Sequence, residues 1–227
     1  MGKNDDFNEK NISELSVSEN ISEKNTSEES ENIPIDNNEE ETVNIPTKGI
    51  VNVFLDLDNT LISSEPLLNF DLEKYKEKIG LFSQHYMEQL YIVFERPGLQ
   101  EFLDYLFANF KVSVWTAASE AYALFIINNI ILGDKPERKL NWTLFSYHCD
   151  WSENRKRGIK GLSLLWDGIN IPGLTSDNTL IIDDLNDVTE IQPKNSIKIH
   201  PFEFKDEGSE NDKDLERVRN ILENIKA

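Results

Sequence analysis

Two carboxylates that lie close together in the chain are the residues best suited to chemistry. Asp56 and Asp58 belong to the sequence DLDNT (56–60), at the end of the apolar run 49–57. Like charges at this separation repel each other unless a cation or a shared proton compensates them. One Asp can be a nucleophile that forms an acyl phosphate, and the other a general acid. Thr60 can brace the turn through a hydroxyl-to-backbone bond. The competing interpretation is an ordinary strand-ending turn, in which Asp and Asn are common.

Further polar groups end two other apolar runs. Thr116 lies at the end of the run 111–117, just before a possible helix start. A hydroxyl there can donate to a phosphate oxygen that nearby helix amides also favour, unless it only satisfies local backbone groups. Asp183 and Asp184 follow the apolar part of 178–183. Carboxylates in this place would complete a site for magnesium, which prefers oxygen ligands.

A short basic segment interrupts an otherwise acidic chain. Arg155, Lys156, Arg157 and Lys160 place four cations within six residues. A lysine can neutralise a phosphoryl oxygen and pair with a carboxylate. An exposed basic loop is the alternative interpretation of the same segment.

Alternating strands and helices must position these groups. Four apolar runs are interpreted as strands: 49–57, 111–117, 178–183 and 196–199. Apolar stripes predict three helices. The first covers 98–110, with a stripe of Leu99, Phe102, Leu103, Leu106 and Phe110, and the second covers 120–132 after a Ser119 cap, with Ala121, Leu124, Phe125, Asn128 and Ile131. The third begins at Asp212, with Leu215, Val218, Ile221, Leu222 and Ile225. This order indicates an α/β protein with a mostly parallel sheet, whose ligands bind beyond the carboxyl ends of the strands.

Composition limits the class of protein. The formal net charge of -19 argues against a nucleic-acid binder that neutralises phosphates. Residues 1–47 hold 13 acidic and 3 basic side chains and few large apolar ones, so we expect a disordered acidic tail followed by one domain over 48–227.

The single cysteine, Cys149, excludes a disulfide framework and a thiolate zinc site. No apolar run reaches the ~18 residues of a membrane span, and the N-terminus lacks a signal-peptide core, so we expect an intracellular protein.

Three histidines complete the inventory of possible metal ligands. His85, His148 and His200 are not spaced as a metal set, and we expect them in surface or core positions.

Five segments in order resemble a known family. They are FLDLDNTL (54–61), ERPGLQEFLDYL (95–106), VSVWTAASEAYA (112–123), IKGLSLL (159–165) and LIIDDLNDV (180–188). They are similar to the phosphatases that act on the C-terminal domain (CTD) of RNA polymerase II, the small CTD phosphatase or NLI-interacting-factor-like group. This group is the DxDxT type of the haloacid dehalogenase superfamily. The resemblance covers about 49–202 and implies a doubly wound sheet with helices on both faces and small insertions.

The resemblance also implies roles for the carboxylates. Asp56 matches the nucleophile, which forms an aspartyl-phosphate. Asp58 matches the general acid that protonates the leaving serine or threonine oxygen and then activates water. The backbone carbonyl of Asp58, together with Asp56 and Asp184, would hold Mg²⁺.

Phosphate-binding roles and substrates follow from the same resemblance. Thr116 and Lys160 match the phosphate-binding residues, Asp183 would orient Lys160, and Thr60 would support the site. The implied substrate is a phosphoserine or phosphothreonine protein, notably the polymerase tail. From the net charge we expect no direct nucleic-acid binding, and from the lack of a long apolar run no membrane partner. We also expect a monomeric protein.

The chain departs from the family pattern at three places. Asn59 stands where many members have Glu, at a position whose side chain is not catalytic. Gly161 stands where Asp is common. Many members carry a short β insertion within 64–91, whereas Leu72, Tyr75, Ile79 and Phe82 here predict a helical element.

Two other functions remain open from the sequence. One is a haloacid-dehalogenase phosphatase for a small molecule or for polynucleotide ends. The other is an inactive scaffold with the same fold, although such relatives tend to lose motif residues that this chain keeps.

Overall fold

The computed structural model describes residues 49–152 and 159–226. The predicted acidic tail 1–47 and the basic residues Arg155, Lys156 and Arg157 lie outside these ranges. In the described part of the chain, no helix is both long enough and apolar enough to cross a membrane.

Strands and helices alternate over much of the described chain. The strands are β1 (Asn52–Leu55), β2 (Ile62–Pro66), β3 (Gln84–Met87), β4 (Tyr91–Glu95), β5 (Lys111–Trp115), β6 (Thr143–Leu144), β7 (Thr179–Asp183) and β8 (Ser196–Lys198). The α-helices are α1 (Lys76–Ile79), α2 (Leu99–Asn109), α3 (Glu120–Ile126), α4 (Ser146–Cys149), α5 (Asn186–Ile191) and α6 (Asp214–Lys226). Short 3₁₀ turns cover Leu67–Asn69 and Ser209–Asn211, and wider π-type turns cover Ile127–Leu132 and Leu164–Gly168.

A five-stranded parallel sheet with the order β6-β5-β1-β7-β8 forms the centre of the fold. Its strands β1, β5, β7 and β8 are the four predicted ones, each shorter than its apolar run. In β1, Leu55 pairs with Val114 of β5 on one side and with Ile182 of β7 on the other. The chain therefore leaves β1, β5 and β7 at the same edge, as a parallel sheet requires.

Both faces of this sheet are buried, which confirms the doubly wound α/β prediction. Val53 and Leu55 of β1 pack in one apolar cluster with buried residues of α2, α3 and α6. Phe54 points the other way and packs in a second cluster with Trp115 and Leu165. Alternate residues of β1 thus reach opposite cores, so the strand is apolar throughout instead of alternating with polar residues.

The predicted apolar stripes of α2 and α6 are confirmed, but that of the 120–132 segment is wrong. The buried residues there are Tyr122, Ala123, Ile126, Ile127, Ile130 and Ile131, a set that shares only Ile131 with the predicted stripe. Ala121, Leu124 and Asn128 of the predicted stripe are exposed. Because most positions in this segment are apolar, periodicity does not select one face, and tertiary contacts of Tyr122 decide it. Ser119 occupies the N-cap position without a side-chain capping bond.

The segment 64–91 contains a β insertion, so the prediction of a helical element in its place is wrong. Strands β2 and β3 both pair antiparallel with β4 to form a three-stranded sheet. Besides the 3₁₀ turn Leu67–Asn69, the only α-helical residues described in this segment form the single turn α1. Ile79 is buried there, whereas Leu72 of the predicted helix is exposed. Strand β2 pairs with residues about thirty positions away, such as Ile62 with Glu95, and local periodicity does not detect this pairing. Strands β3 and β4 form a local hairpin, in which Met87 pairs with Tyr91.

Candidate active site

The carboxyl edge of the central sheet brings together the polar groups that the sequence singled out. Asp56 follows β1 directly, and its backbone N–H donates to the Ile182 carbonyl at 3.0 Å. Asp183 ends β7 on one side of β1, and Thr116 follows β5 on the other. Asp56, Thr116, Lys160 and Asp183 are all buried.

A tight turn carries the chain from Asp56 to Asp58 and back toward the insertion. Asn59 has φ of 58°, in the left-handed region that Asn tolerates better than most residues. Its N–H donates to the Ile62 carbonyl at 2.8 Å, and the Leu61 N–H donates to Leu57 at 2.8 Å. An Asn in place of the frequent Glu therefore suits the backbone of this turn.

Lys160 lies between two carboxylates. Its Nζ is 2.9 Å from Asp56 Oδ1 and 2.7 Å from Asp183 Oδ2. Burial lowers the pKa of Lys160, but the charges of Asp56 and Asp183 outweigh this effect and hold the pKa above its usual range. The second oxygen of Asp183 accepts from the Leu185 N–H at 2.9 Å. Asp183 thus uses both oxygens within the protein, as expected of a group that orients Lys160.

Gln192 holds the backbone of the same segment and was not found from the sequence. Its side-chain amide donates to the Lys160 carbonyl at 2.8 Å and accepts from the Leu162 N–H at 2.8 Å. The two bonds clamp the chain on either side of Gly161. Gln192 lies 32 residues from Lys160, and no spacing motif signals the contact.

Three carboxylates converge beside Lys160. One oxygen each of Asp56, Asp183 and Asp184 lies within 4.8 Å of the others. Burial first, and then the neighbouring charge of Asp56, raises the pKa of both Asp183 and Asp184. One ammonium group does not balance three carboxylates, and the donors are all oxygens. This donor set fits a hard cation such as Mg²⁺, with Asp56 and Asp184 offering oxygens that are not bonded to Lys160.

The Thr60 hydroxyl faces this acidic cluster. It lies 3.3 Å from Asp184 Oδ1 and 3.5 Å from Asp56 Oδ2. The sequence predicted that this hydroxyl bonds to the backbone of the turn. That prediction is wrong, because the hydroxyl faces two carboxylates instead. The cause is the fully buried position of Thr60, where the carboxylates are the available acceptors.

Asp58 occupies a different environment from Asp56. Its Oδ1 accepts a hydrogen bond from the Tyr122 hydroxyl at 2.6 Å. Burial, and to a smaller extent the charge of Asp56, raises the pKa of Asp58 against the opposing effect of the Tyr122 bond. Burial and the Asp58 charge raise the pKa of Tyr122, so Tyr122 stays a donor. Sequence reasoning missed Tyr122 because the predicted stripe left it off the buried face.

Thr116 uses its hydroxyl oxygen locally. The Ala118 N–H donates to Thr116 Oγ1 at 3.0 Å, and the Thr116 N–H donates to the Leu144 carbonyl. The local acceptor role fixes the hydroxyl oxygen at the end of β5. The hydroxyl hydrogen remains able to point toward an anion at the sheet edge.

A groove opens beside Asp58, between the insertion and α3, with a volume of about 430 Å³. Its other lining residues are Ser64, Met87, Leu90, Tyr91, Ala118, Ser119, Ala121 and Tyr122. Asp58 is the charged member of this lining. Apart from Asp58, the groove surface is thus uncharged and partly apolar.

The three histidines each have a different hydrogen-bond partner outside the Asp56, Asp183 and Asp184 cluster. His85 Nε2 is 2.7 Å from Glu95, His148 Nδ1 accepts from the Phe145 N–H, and His200 contacts Asp214.

Comparisons with known proteins agree with this fold and identify the family. The family model described as NLI interacting factor-like phosphatase matches residues 51–227. A CTD phosphatase-like protein of Invertebrate iridescent virus 6 is 45% identical over 175 residues, which are 75% of this chain and 96% of that protein. Its counterpart in Invertebrate iridescent virus 3 is 43% identical over 183 residues, 77% of this chain and 96% of that protein.

A solved structure provides the fold comparison. The structure of Fcp1, an essential RNA polymerase II CTD phosphatase, superposes with a TM-score of 0.53 at 20% identity. The match covers 77% of this chain and 61% of the solved chain. At this identity, the comparison supports the haloacid-dehalogenase-like fold alone.

Proposed function

The chain belongs to the NLI interacting factor-like phosphatase family, and from this premise we propose that it is a magnesium-dependent protein serine/threonine phosphatase that works through an aspartyl-phosphate. The observation that carries the proposal is the Lys160 ammonium group between Asp56 and Asp183, with Asp184 beside them. A nucleophile, a cation and an acidic pair that can bind a metal thus meet at one sheet edge. The phosphatase domain in this proposal spans 48–227.

Asp56 is the nucleophile in the first step. Its carboxylate oxygen attacks phosphorus, and the bond from phosphorus to the serine or threonine oxygen breaks. Asp58 donates its proton to that oxygen, which leaves as a neutral hydroxyl. Lys160 and the Thr116 hydroxyl hold the remaining phosphoryl oxygens, so their charge is met by fixed donors.

Asp58 acts as a base in the second step. It takes a proton from a water molecule, whose oxygen attacks the phosphorus of the aspartyl-phosphate. The acyl phosphate bond breaks, inorganic phosphate leaves and the Asp56 carboxylate returns. The two Asp residues therefore need different partners: Asp56 contacts Lys160, whereas Asp58 contacts Tyr122.

Asp56, Asp184 and the backbone carbonyl of Asp58 are the groups that would hold Mg²⁺. Bound there, the ion supplies positive charge that offsets the repulsion between a phosphate dianion and the carboxylates. Thr60 orients the oxygens of Asp56 and Asp184 through its hydroxyl.

The proposed substrate is a phosphoprotein segment. The uncharged groove beside Asp58 suits a peptide that lies next to the phosphorylated residue. Relatives named CTD phosphatase-like make the RNA polymerase II C-terminal domain the first substrate to test.

Phosphate release from a panel of phosphopeptides tests the proposal. We expect turnover of phosphoserine or phosphothreonine peptides with Mg²⁺, and loss of turnover in excess chelator. Calcium should not restore the rate, because its looser coordination misplaces the attacking groups. Asp56→Asn, prepared in parallel, controls for contaminating phosphatases.

Other outcomes would replace the proposal. An undiminished rate in chelator contradicts the metal requirement. Hydrolysis of small phosphate esters or polynucleotide ends without phosphopeptide turnover would indicate a different substrate class. Phosphopeptide binding without any hydrolysis would indicate a scaffold.

A further inference from the structure

Tyr122 places a phenol hydroxyl against one oxygen of Asp58. The distance from the Tyr122 hydroxyl to Asp58 Oδ1 is 2.6 Å, which is typical of an O–H donor bound to a carboxylate. A phenol has one hydrogen to donate. Tyr122 therefore marks Oδ1 as the accepting oxygen of Asp58 and leaves Oδ2 for other partners.

We propose that Tyr122 is a positioning residue that turns Oδ2 of Asp58 toward the leaving oxygen of the substrate. The inference rests on the proposed function, in which Asp58 is the proton donor of the first step and the base of the second. Tyr122 acts through Asp58 and needs no contact with the phosphate.

The ring of Tyr122 is held from two elements, so its hydroxyl has little freedom. Tyr122 is buried in the first turn of α3. Its ring packs edge-on against Tyr91 of β4, with 5.4 Å between centroids. Tyr91 is in turn fixed by pairing with Pro66 and Met87 in the insertion sheet. A carboxylate held by such a rigid donor keeps one rotamer, which general acid catalysis needs.

The packing role of Tyr122 does not explain the placement of its hydroxyl. A tyrosine needed only for packing can direct its oxygen to solvent or to a backbone carbonyl, as buried phenols usually find some partner. Here the oxygen faces a catalytic carboxylate at the mouth of the groove. The hydroxyl and the ring can therefore be separated experimentally.

Tyr122→Phe removes the hydroxyl and keeps the ring. We expect a loss of roughly 10- to 100-fold in single-turnover hydrolysis of a phosphoserine peptide, the usual effect of removing a residue that orients a catalytic group. The burst of aryl alcohol from an aryl phosphate should fall less than about threefold, because an activated leaving group needs little protonation. A merely structural role would lower both rates equally.

Tyr105→Phe is the matched control. The Tyr105 hydroxyl on α2 is buried and has no hydrogen-bond partner within the described residues, so its removal should leave both rates unchanged. Thermal melting of both variants checks that each is folded at the assay temperature.

A double-mutant cycle with Asp58→Asn decides whether Tyr122 acts through Asp58. If it does, Tyr122→Phe causes no further loss on the phosphopeptide once Asp58 is Asn. Multiplicative losses would show an independent role of Tyr122, such as phosphate binding, and would overturn the inference. Equal losses of Tyr122→Phe on both substrates would overturn it as well.

The same data separate this inference from the proposed function. If Asp58→Asn alone shows the dependence on the leaving group and Tyr122→Phe has wild-type rates, the inference fails and the proposed function stands. If Asp56→Asn keeps wild-type turnover, the proposed function fails, and the positioning role fails with it.

Discussion

Two clusters of buried and partly buried charged groups meet at Thr60, and they differ in how their positive and negative charges balance. On one side, the Thr60 hydroxyl faces Asp56 and Asp184, which converge with Asp183 beside the ammonium group of Lys160. On the other side, the Thr60 carbonyl accepts from Arg96 at 3.0 Å. We refer to these as the Lys160 cluster (Asp56, Lys160, Asp183, Asp184) and the Arg96 cluster (Arg96, Asp212, Asp214, Arg217).

The Arg96 cluster is balanced within the protein. The Arg96 guanidinium is fully buried and binds both oxygens of Asp212 at 2.8 Å, and it also donates to the His200 carbonyl. Asp214 contacts Arg217 and accepts from the His200 N–H. Two cations thus meet two carboxylates, and the bonds join the end of β4, the DLDNT turn and the start of α6.

The Lys160 cluster keeps an excess of negative charge. Burying unbalanced charge lowers stability, and such an arrangement persists where it serves a function. The contrast indicates which buried charges hold the fold and which are available for chemistry. It predicts that the same Asp→Asn change lowers activity in the Lys160 cluster and stability in the Arg96 cluster.

Asp56→Asn is the strongest test of the contrast. It removes the proposed nucleophile, and no other group replaces its oxygen in line with phosphorus. Turnover should vanish for every substrate, while the free energy of unfolding should change by less than about 1 kcal/mol, because lost attraction to Lys160 is offset by relief of repulsion. Asp212→Asn, the same change in the Arg96 cluster, should lower stability and retain turnover. Wild-type turnover in Asp56→Asn would contradict the phosphatase mechanism.

Asp58→Asn should have a smaller effect that depends on the substrate. The variant keeps the nucleophile and the backbone carbonyl but loses the proton donor. We expect a loss of roughly 10²–10⁴-fold on a phosphoserine peptide, since an alkoxide is a poor leaving group. With an aryl phosphate, single-turnover kinetics should show a burst followed by a stall as aspartyl-phosphate. Equal failure of the Asp56 and Asp58 variants in the burst would show that their roles are wrongly assigned.

Arg96→Met tests the balanced cluster. It leaves Asp212 without its buried partner, and breaking one half of a buried ion pair costs about 3–5 kcal/mol of stability. Denaturant unfolding should detect this loss. Lys135→Met is the control, because its partner Asp104 is half exposed and such pairs contribute at most about 1 kcal/mol. A loss of activity without a loss of stability would show that Arg96 serves the chemistry instead.

The sequence predicted the Lys160 cluster better than the Arg96 cluster, for a physical reason. Asp56, Thr116 and Asp183 each end an apolar run, and a parallel sheet brings such ends to one edge. Arg96 and Asp212 are 116 residues apart, and neither lies in a pattern that predicts the pairing. Tyr122 and Gln192 also depend on tertiary contacts, Tyr122 on which face of α3 turns inward and Gln192 on where α5 ends beside Lys160.

The insertion shows the same limit for the fold. The central strands were predicted because buried parallel strands are continuous apolar runs. Strands β2 and β3 are short and half exposed, with polar residues such as Ser64 and Gln84. The pairing of β2 with β4 joins residues far apart in the chain, and the β3–β4 hairpin has no continuous apolar run to indicate it. The apolar spacing around Ile79 therefore favours a helix although the insertion is mainly β structure.

Removal of the acidic tail should have the smallest effect of all. Residues 1–47 carry 13 acidic side chains, more than either cluster. A high number of charges does not itself give a chemical role, because the charges that matter for catalysis are those that converge at a buried site. Without core residues or a motif, we propose that the tail contributes nothing to hydrolysis. A chain beginning at Pro46 should keep its kcat on a short phosphopeptide within tenfold, which is about 1.4 kcal/mol in the activation free energy.

The full-length protein at the same ionic strength is the control, because long-range repulsion of an acidic peptide is screened by salt. A larger loss that salt does not remove would place part of the tail in the catalytic domain and move its boundary toward the N-terminus.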